Sequence, residues 1–563
     1  MQKKRYTVDA VRKLRTRKST GRVDMKAKNK MIKGLTAILT AAFVLAGCQS
    51  GNEPTSAEAS ASAAAGTPTA GGQLNFALST VIANDILDPQ KTGSPQNSRI
   101  QRNIFDSLVE EQPDHTFKPW LATDWEIAPD NKSYTFHLRK DVKFHDGTPF
   151  NAEAVKFNFD RIGKLEAPGV AKNDIGSYTS SEVIDEYTIK IHFATPFAPF
   201  LTNLSKENLG IISPAAVQKY GDEFSHHPVG TGPFRFVSYT AGTEYVLEKN
   251  PDYNWPPSSA KHTGAAYLDK IVVKVIPEEA TRVGVLQSGD VQAADIIPPQ
   301  NIVSFKSDPN FQIYQAEMLN YNPAIHLNSK RPLLTDVKVR EALRTSLDLD
   351  SIVKTVYLGT YDRAYTYLSP SLLGSDASLK DEWKSSIEDA GKALDELGWK
   401  KGSDGIRVKD GKRLSLEMID FYANREKRMD VMALVQNQWK KNGIELKITS
   451  LSVGAYTERS KTGDFDLWIG SQYGADPDVF RSVANYFDFN DPELAKLLDQ
   501  AYGELDREKR VAIYKQAQKR IFDQATVIPV YVFPYTVGAS KSLQGLAFDA
   551  HGFPLFYDAW LKK

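Results

Sequence analysis

Residues 121–161 have the sequence LATDWEIAPDNKSYTFHLRKDVKFHDGTPFNAEAVKFNFDR, and the segment Ser133–Leu138 within it alternates apolar and polar side chains. Such an alternation has the two-residue period of a half-buried strand. The apolar positions on one face are Tyr134, Phe136 and Leu138, and the pattern continues at Val142 and Phe144. The first half of the stretch therefore predicts two strands in succession.

The second half of the stretch predicts a turn followed by a helix. Residues 146–149 are Asp-Gly-Thr-Pro, a combination typical of turns. Asn151 is a favourable N-cap, and the helix after it carries Val155, Phe157 and Phe159. On physical grounds alone, residues 121–161 form an ordinary corner between a sheet and a helix.

The length of the chain predicts more than one lobe. At 563 residues the chain exceeds what a single hydrophobic core usually supports. Its composition, with 41% hydrophobic and 25% charged residues, is that of a soluble globular protein. Residues 1–33 carry 13 Lys or Arg against two Asp, so the rest of a chain whose net charge is +1 carries a charge of −10. An acidic body disfavours nucleic acid as a partner.

The N-terminal segment has the features of an export signal. A basic region precedes the apolar run 35–47, whose 13 residues are too few to cross a bilayer but typical of a signal-peptide core. The sequence LAGC at 45–48 resembles a lipobox, in which the cysteine is diacylated and becomes the mature N-terminus. We therefore expect a signal peptide over 1–47 and lipidation at Cys48, with Met25 and Met31 as alternative starts.

Residues 49–72 are rich in Ala, Ser, Gly and Thr, a composition that predicts a flexible tether between the lipid and the folded body. Cys48 is the one cysteine of the chain, so no intrachain disulfide can form. No later stretch approaches 18 consecutive apolar residues, and we expect no transmembrane helix.

Three segments resemble one protein family, and they follow each other along the chain in the same order as in that family. The sequence YTFHLRKDVKFHDGTPFNAEAVKFNFDR at 134–161 is similar to the hallmark segment of the family 5 extracellular solute-binding proteins, the peptide/nickel class that serves ABC importers. HPVGTGPF at 227–234 resembles the family's crossover back into its first lobe, and PLLTDVKVREALRTSLDLD at 332–350 resembles the helix that opens its second lobe. The resemblance covers residues 72–563. It implies an α/β, two-lobed periplasmic-binding-protein-like fold of type II, with an extra subdomain and hinge closure around the ligand.

The resemblance also implies domain limits and partners. The expected segments are the signal peptide (1–47), the lipid-anchored tether (48–72), lobe I in three parts (73–116, 229–319 and 534–563), the extra subdomain (117–228) and lobe II (320–533). The implied protein is a monomer without cofactor or catalytic residues, lipid-anchored to the outer side of a bacterial cell membrane. It binds a small solute and passes it to the permease and ATPase subunits of an ABC importer.

Two places in the sequence supply candidate ligand contacts. Residues 87–90 and 102–110 look like the family's first strand-and-helix unit, with a helix expected over 97–110 and with Ser98 and Arg102 as candidate contacts. Arg102 either faces the cleft or is solvated. The second place is the loop 471–478, SQYGADPD, at the far end of the predicted strand 465–469. The full set of expected ligand-binding residues is Trp468, Gln472, Tyr473, Asp476, Ser98 and Arg102.

The loop departs from the pattern of the peptide binders. In that class an Asp a few residues before an Asp-Pro or Glu-Pro pair neutralises the peptide α-amine. Aligning Asp476 and the proline after it on that pair puts Tyr473 or Gln472 where the Asp would be. This departure weakens the case for a ligand held by its amine. Asp476 or Asp478 either replaces the missing carboxylate or caps the following turn, while Trp468 and Tyr473 either stack on the ligand or belong to the core.

The nickel-chelate binders use an Arg before an Ile-x-Pro element and a His after this same loop. Here Gly210 stands at the Arg position and residues 480–489 contain no His, so both positions argue against that site. His226 and His227 have no further His or Cys at ligand spacing, which favours structural histidines over a metal site. We expect no bound metal of the protein's own.

The sequence carries little sign of an enzyme. It contains no HExxH, GxSxG, Walker or GxGxxG pattern. Residues 351–354 match SxxK and residues 461–463 match KTG, as in penicillin-recognising serine enzymes, but no SxN lies between them. We expect an importer receptor that favours peptides or peptide-like solutes, with metal chelates, including nickel complexes or metallophores, as the alternative. A serine hydrolase that uses Ser351 and a receptor read by a membrane sensor are retained as further hypotheses.

Overall fold

The structure, a computed structural model, describes residues 66–82, 85–165, 170–421, 425–481 and 491–563. The predicted signal peptide, Cys48 and most of the tether lie outside the described residues. The described part folds around three main sheets, which we call the lobe I, lobe II and subdomain sheets.

Seven strands form the lobe I sheet, and in spatial order they are Phe311–Glu317, Pro534–Ser540, Ala293–Asp295, Gln73–Leu78, Lys270–Val275, Glu244–Lys249 and Phe234–Thr240. Five form the lobe II sheet, in the order Glu445–Ser450, Ser415–Asp420, Leu467–Gly470, Ala324–Leu327 and Val527–Pro529. Four form the subdomain sheet, Ala122–Ile127, Ser133–Leu138, Thr188–Phe193 and Tyr178–Asp185.

Short strand pairs and helices complete the described fold. The smaller pairings are Val109–Glu111 with Phe117–Pro119, Leu543–Gln544 with Trp560–Leu561, Ala547–Phe548 with Pro554–Leu555, and the trio Lys400–Lys401, Arg407–Lys409 and Lys412–Arg413. The described α-helices are Pro95–Gln101, Ala152–Gly163, Val170–Asp174, Phe200–Leu204, Pro214–Tyr220, Glu279–Ser288, Pro299–Ser307, Val337–Thr345, Leu349–Tyr357, Ile387–Glu396, Arg428–Lys441, Val453–Thr462, Pro492–Gly503 and Arg507–Gln524. None of the described helices is both long and apolar enough to span a bilayer.

The chain crosses between the two large sheets twice. It leaves the lobe I sheet after Phe311–Glu317, enters the lobe II sheet at Ala324–Leu327, and returns from Val527–Pro529 to Pro534–Ser540. Both large sheets mix parallel and antiparallel neighbours. The three sheets fall inside the segments expected for lobe I, lobe II and the extra subdomain, while the limits of those segments stay a prediction.

The strand and the helix predicted in residues 121–161 are confirmed. Ser133–Leu138 is a strand of the subdomain sheet, with Tyr134, Phe136 and Leu138 buried. The Asn151 side chain accepts a hydrogen bond from the Ala154 N–H at 3.0 Å and so caps the helix Ala152–Gly163. The other predicted strand is Ala122–Ile127, so the order strand, strand, turn, helix is confirmed. Val142 and Phe144, which continue the alternation, flank Lys143, and Lys143 forms an isolated β-bridge with Pro149. The side chains of Val142 and Phe144 are both buried. The backbone N–H of Phe144 donates to the Thr148 carbonyl across a tight turn.

The two most specific sequence segments pack against each other. The backbone N–H of His145 donates to the Gly230 carbonyl, and its ring Nε2 donates to the Gly232 carbonyl, both at 2.9 Å. The Gly230 N–H donates in turn to Nδ1 of His145 at 3.3 Å. Burial lowers the pKa of His145 to about 4, which keeps the ring neutral, as this bonding requires. A Cβ at Gly230 would lie 2.2 Å from the Ile104 carbonyl oxygen, so this contact excludes any side chain.

The same contact explains why the helix expected over 97–110 is shorter. The helix ends at Gln101, and Val109–Glu111 is already a strand. Between them, the Asn103 and Ile104 carbonyls accept hydrogen bonds from the N–H groups of Phe234 and Gly232. These carbonyls are thus used by a distant segment and are unavailable to continue the helix.

Candidate ligand-binding cleft

A cavity of about 990 Å³, which we call the main cavity, lies between the lobe I and lobe II elements. Arg99, Arg282 and Ile296 line it from lobe I, and Trp468 and Gln472 line it from lobe II. Its size is that of a pocket able to enclose a small organic solute. The main cavity is therefore the candidate ligand site.

A second cavity, of about 930 Å³, adjoins the first at Gln472 and Tyr473, which line both. The subdomain contributes Asp174 and Lys206 to its wall, and lobe II contributes residues 474–476, 478, 479 and 481. Gln472 and Tyr473 consequently stand at the boundary between two chambers of the cleft.

The strand Leu467–Gly470 places Trp468 in the wall of the main cavity. The register partner of Trp468 is His326, and the two ring centroids are 4.8 Å apart. A Cβ at Gly470 would lie 2.2 Å from the Trp468 indole, so glycine at 470 provides the space that the indole occupies. Trp468 is 9% exposed, belongs to a hydrophobic core cluster and also lines the main cavity, while its stacking on a ligand stays a prediction.

Tyr473 is held at the boundary by backbone and ring contacts. Its backbone forms an isolated β-bridge with Asn320, and its ring centroid lies 5.6 Å from that of Phe553. The hydroxyl is buried and has no hydrogen-bond partner within the described residues. Burial, with the carboxylates of Glu207 and Asp549 nearby, raises the pKa of Tyr473 well above its usual value, so it remains a neutral phenol.

Asp476 lines the second cavity, but its carboxylate forms an ion pair with Arg510. Both oxygens accept hydrogen bonds from Arg510 at 2.7 Å, and Oδ1 also accepts from the Asp478 N–H at 2.8 Å. Both side chains of this pair are about 95% buried. Asp478 pairs with Arg481 at 3.3 Å, and burial raises its pKa to about 6. Asp476 therefore caps the following turn, one of its two expected roles, and neither of its oxygens is open to a ligand amine.

The candidates on the first helix lie behind the cleft. Arg102 is 2% exposed and forms ion pairs with Asp549 at 2.9 Å and Glu207 at 3.7 Å. Ser98 is fully buried, and its hydroxyl donates to Glu207. The expectation that Arg102 faces the cleft or the solvent is wrong. Its backbone is still helical and its N–H donates to the Ser98 carbonyl, so the side chain continues the buried face on which Ser98 lies. Neither Ser98 nor Arg102 lines the main or the second cavity.

Two residues that the sequence analysis did not single out line the main cavity, Arg99 and Asn320. Arg99 belongs to the helix Pro95–Gln101, which spans two turns and is too short for periodicity to fix its buried face. Asn320 lies in the crossing between the lobes, a segment without a repeating pattern. The polar character of both residues is visible in the sequence, but their position is not.

The histidine pair and the enzyme-like motifs do not assemble into a site. His226 pairs with Glu223 at 3.2 Å, and the ring of His227 stacks on Tyr220 at 4.5 Å. In the part of the chain that the structure describes, no three His, Cys, Asp or Glu side chains converge as metal ligands. Ser351 is exposed in the first turn of the helix Leu349–Tyr357, whereas residues 461–463 end the helix Val453–Thr462.

Comparisons with known proteins agree with this architecture. Residues 116–492 match the family described as bacterial extracellular solute-binding proteins, family 5 Middle. The chain is 29% identical to heme-binding protein A of Haemophilus influenzae over 577 aligned positions, with coverage of 93% of this chain and 98% of that relative. It is 29% identical to the dipeptide-binding protein of Escherichia coli, with coverage of 77% and 84%.

A solved structure gives the same result for the fold. NikA from Brucella suis, in complex with Fe(III)-EDTA, superposes with a TM-score of 0.79 at 27% identity, over 87% of this chain and all of that one. The α/β fold with two lobes, expected from the sequence, is thereby confirmed. The chain belongs to family 5 of the bacterial extracellular solute-binding proteins.

Proposed function

We propose that this protein is the lipid-anchored receptor of an ABC importer and that it captures peptides or peptide-like solutes. The observation that carries the proposal is the main cavity of about 990 Å³ between the lobes, with Trp468 in its wall. An aromatic wall and a few polar groups are what a buried, mostly backbone-like solute requires. The likeness to a dipeptide-binding protein over 77% of the chain supports this solute class.

Capture and release follow from the way in which the lobes are joined. The lobes are linked by the two short crossings at 318–323 and 530–533, which act as the hinge. Closure buries the solute between lobe I and lobe II, and the closed form docks on the permease. Binding energy serves selection and closure, and no bond of the solute is made or broken.

The membrane anchor rests on the sequence around Cys48. Diacylation at this cysteine attaches the protein to the outer side of the cell membrane, since each buried CH₂ of an acyl chain contributes about 0.8 kcal/mol. Cys48→Ser should move the protein from the membrane pellet to the soluble extracytoplasmic fraction. If the variant still pellets with membranes, the anchor lies elsewhere.

A metal chelate is the second candidate solute. The likeness to NikA, whose structure holds Fe(III)-EDTA, favours it. A metal bound here would have to arrive with its own chelator, because the described residues hold no cluster of three metal ligands. The relatives are binding proteins of transport systems, and we assign no catalytic role to Ser351.

Native mass spectrometry with a tripeptide library tests the proposal. The full-length protein carrying Cys48→Ser is incubated with equimolar tripeptides, and the masses that remain bound are recorded. We expect several different tripeptides to be retained. A protein that retains none of them, but retains a nickel–histidine complex, would be a chelate receptor instead.

A further inference from the structure

The main cavity contains two buried polar side chains with unused hydrogen-bonding groups. Arg99 and Asn320 are 4% and 6% exposed, and both line the cavity. The Oδ1 atom of Asn320 and the Nε atom of Arg99 are buried without a partner within the described residues. Buried polar groups are nearly always paired in native proteins, so unpaired groups on side chains that line a cavity are candidates for pairing with a ligand or a water molecule.

Arg99 is fixed in place while most of its donors stay open. Its Nη1 donates to Asp295 at 2.5 Å, and its guanidinium lies 4.5 Å from the Tyr535 ring centroid. Asp295 is held in turn by the Ser79 N–H at 2.7 Å. In the described structure this is the one hydrogen bond of the guanidinium, which has five N–H groups. Arg99 is therefore a positioned cation with spare donors.

The other two arginines of the cavity are occupied. The guanidinium of Arg282 donates to four backbone carbonyls, those of residues 276, 277, 295 and 296. Arg428 pairs with Glu426 at 2.8 Å. Among the described arginines of the cavity, Arg99 makes the fewest hydrogen bonds and so has the most donors left for a solute.

The acidic side chains that line the main cavity are paired or exposed. In the second cavity, Asp174 pairs with Lys206 at 2.7 Å through Oδ1, and its Oδ2 atom is buried without a partner within the described residues. Both oxygens of Asp476 are used by Arg510, and Glu426 is used by Arg428. Glu278 and Glu279 also line the main cavity, but both are exposed at its mouth, where water screens their charge. Asp295 neutralises the charge of Arg99, so what Arg99 offers inside the main cavity is its remaining N–H donors.

We propose that Arg99 binds a carboxylate of the solute, with the Asn320 amide as a neutral hydrogen-bonding partner, so that this protein selects its ligand by an anionic end rather than by an amine. The proposal rests on the proposed function and deepens it. A guanidinium with two free N–H donors binds a carboxylate in a bidentate manner, and burial of the Arg99 side chain strengthens that pair. Asp295 serves as the positioning residue that holds Arg99.

Titration calorimetry with three probes tests the inference. The probes are trialanine, trialanine amide, which lacks the terminal carboxylate, and N-acetyl-trialanine, which lacks the amine, each titrated into the full-length protein carrying Cys48→Ser. We expect trialanine and N-acetyl-trialanine to bind within about three-fold of each other. The amide should bind about 10- to 100-fold more weakly, since a hydrogen-bonded ion pair is lost.

Variants of Arg99 test whether the preference for a free carboxylate depends on this residue. The double variant Arg99→Gln/Asp295→Asn avoids an unpaired buried charge and should bind trialanine and its amide equally weakly. The control Arg331→Gln removes the same charge from a residue that pairs with Asp464 and Asp466 in lobe II and lines neither cavity. It should retain the preference for the free acid.

The outcomes separate this inference from the proposed function. Tight binding of the amide, or loss of binding on N-acetylation, would overturn the anionic anchor and leave the peptide function intact. If no peptide probe binds but citrate does, and only with Arg99 present, the anchor stands and the peptide function falls. If neither peptides nor citrate bind, both fall.

Discussion

Replacing Asp476 by Asn separates a structural role from a ligand-binding role in the loop 471–478. The change removes the carboxylate that faces Arg510, whose side chain is 5% exposed, and breaks a pair of bonds of 2.7 Å each. Removing one partner of a buried ion pair leaves the other charge uncompensated, at a cost of about 3–5 kcal/mol. For a body of this size the entropy of unfolding is about 1 kcal/mol per kelvin, so Tm should fall by about 3–5 °C.

Differential scanning calorimetry and trialanine titration are run on the same preparations. The folded Asp476→Asn protein should bind trialanine within about two-fold of the wild type, because neither oxygen of Asp476 is open to the solute. The double variant Asp476→Asn/Arg510→Gln should recover at least half of the lost stability, since no charge is then left unpaired. An Asn variant that keeps its Tm but loses trialanine would refute the structural assignment.

Three further perturbations test the cleft and the segment that supports it. The pKa of His145, about 4 in the folded protein against about 6.5 unfolded, means that the unfolded chain binds the extra proton. The contribution of His145 to stability should therefore fall by about 3 kcal/mol as the pH drops from 6.5 to 4. In urea unfolding, the difference in stability between the wild type and His145→Gln should change by about this amount between the two pH values, whereas a constant difference would contradict the assignment. Tyr473→Ala should weaken trialanine binding about ten-fold by merging the two chambers, while Tyr473→Phe binds normally; full affinity in the Ala variant would remove Tyr473 from the site. Gly470→Ala would place a methyl group 2.2 Å from the Trp468 indole and should shift tryptophan fluorescence together with a loss of binding; a shift without a change in affinity would exclude Trp468.

The parts of the fold that depend on neighbouring residues are visible in the sequence. The strand Ser133–Leu138 follows from the two-residue alternation, and the start of the helix Ala152–Gly163 follows from the Asn151 cap. The end of the first helix at Gln101 does not, because the groups that interrupt it, the N–H groups of Gly232 and Phe234, come from a distant segment. Local patterns specify local hydrogen bonds, and long-range hydrogen bonds override them.

The predicted site residues also fall into two groups, those that line the cleft and those that are paired with distant residues inside the protein. Trp468 and Tyr473 were predicted from their places in a strand and in the loop after it, which resemble the family, and both line the cleft. Arg102 and Asp476 were also predicted from segments that resemble the family, and they are instead paired inside the protein with Asp549 and Arg510. Charge alone does not reveal which arginine or aspartate is already neutralised, because that depends on partners far along the chain.

Native mass spectrometry with elemental analysis, applied to the protein purified from the membranes of its own bacterium, tests the central claim most directly. The account predicts that denaturation releases a heterogeneous set of peptide masses, each with a free carboxylate and none carrying a metal. A single small mass that carries nickel, cobalt or zinc would contradict the peptide assignment and make the protein a receptor for a metal chelate.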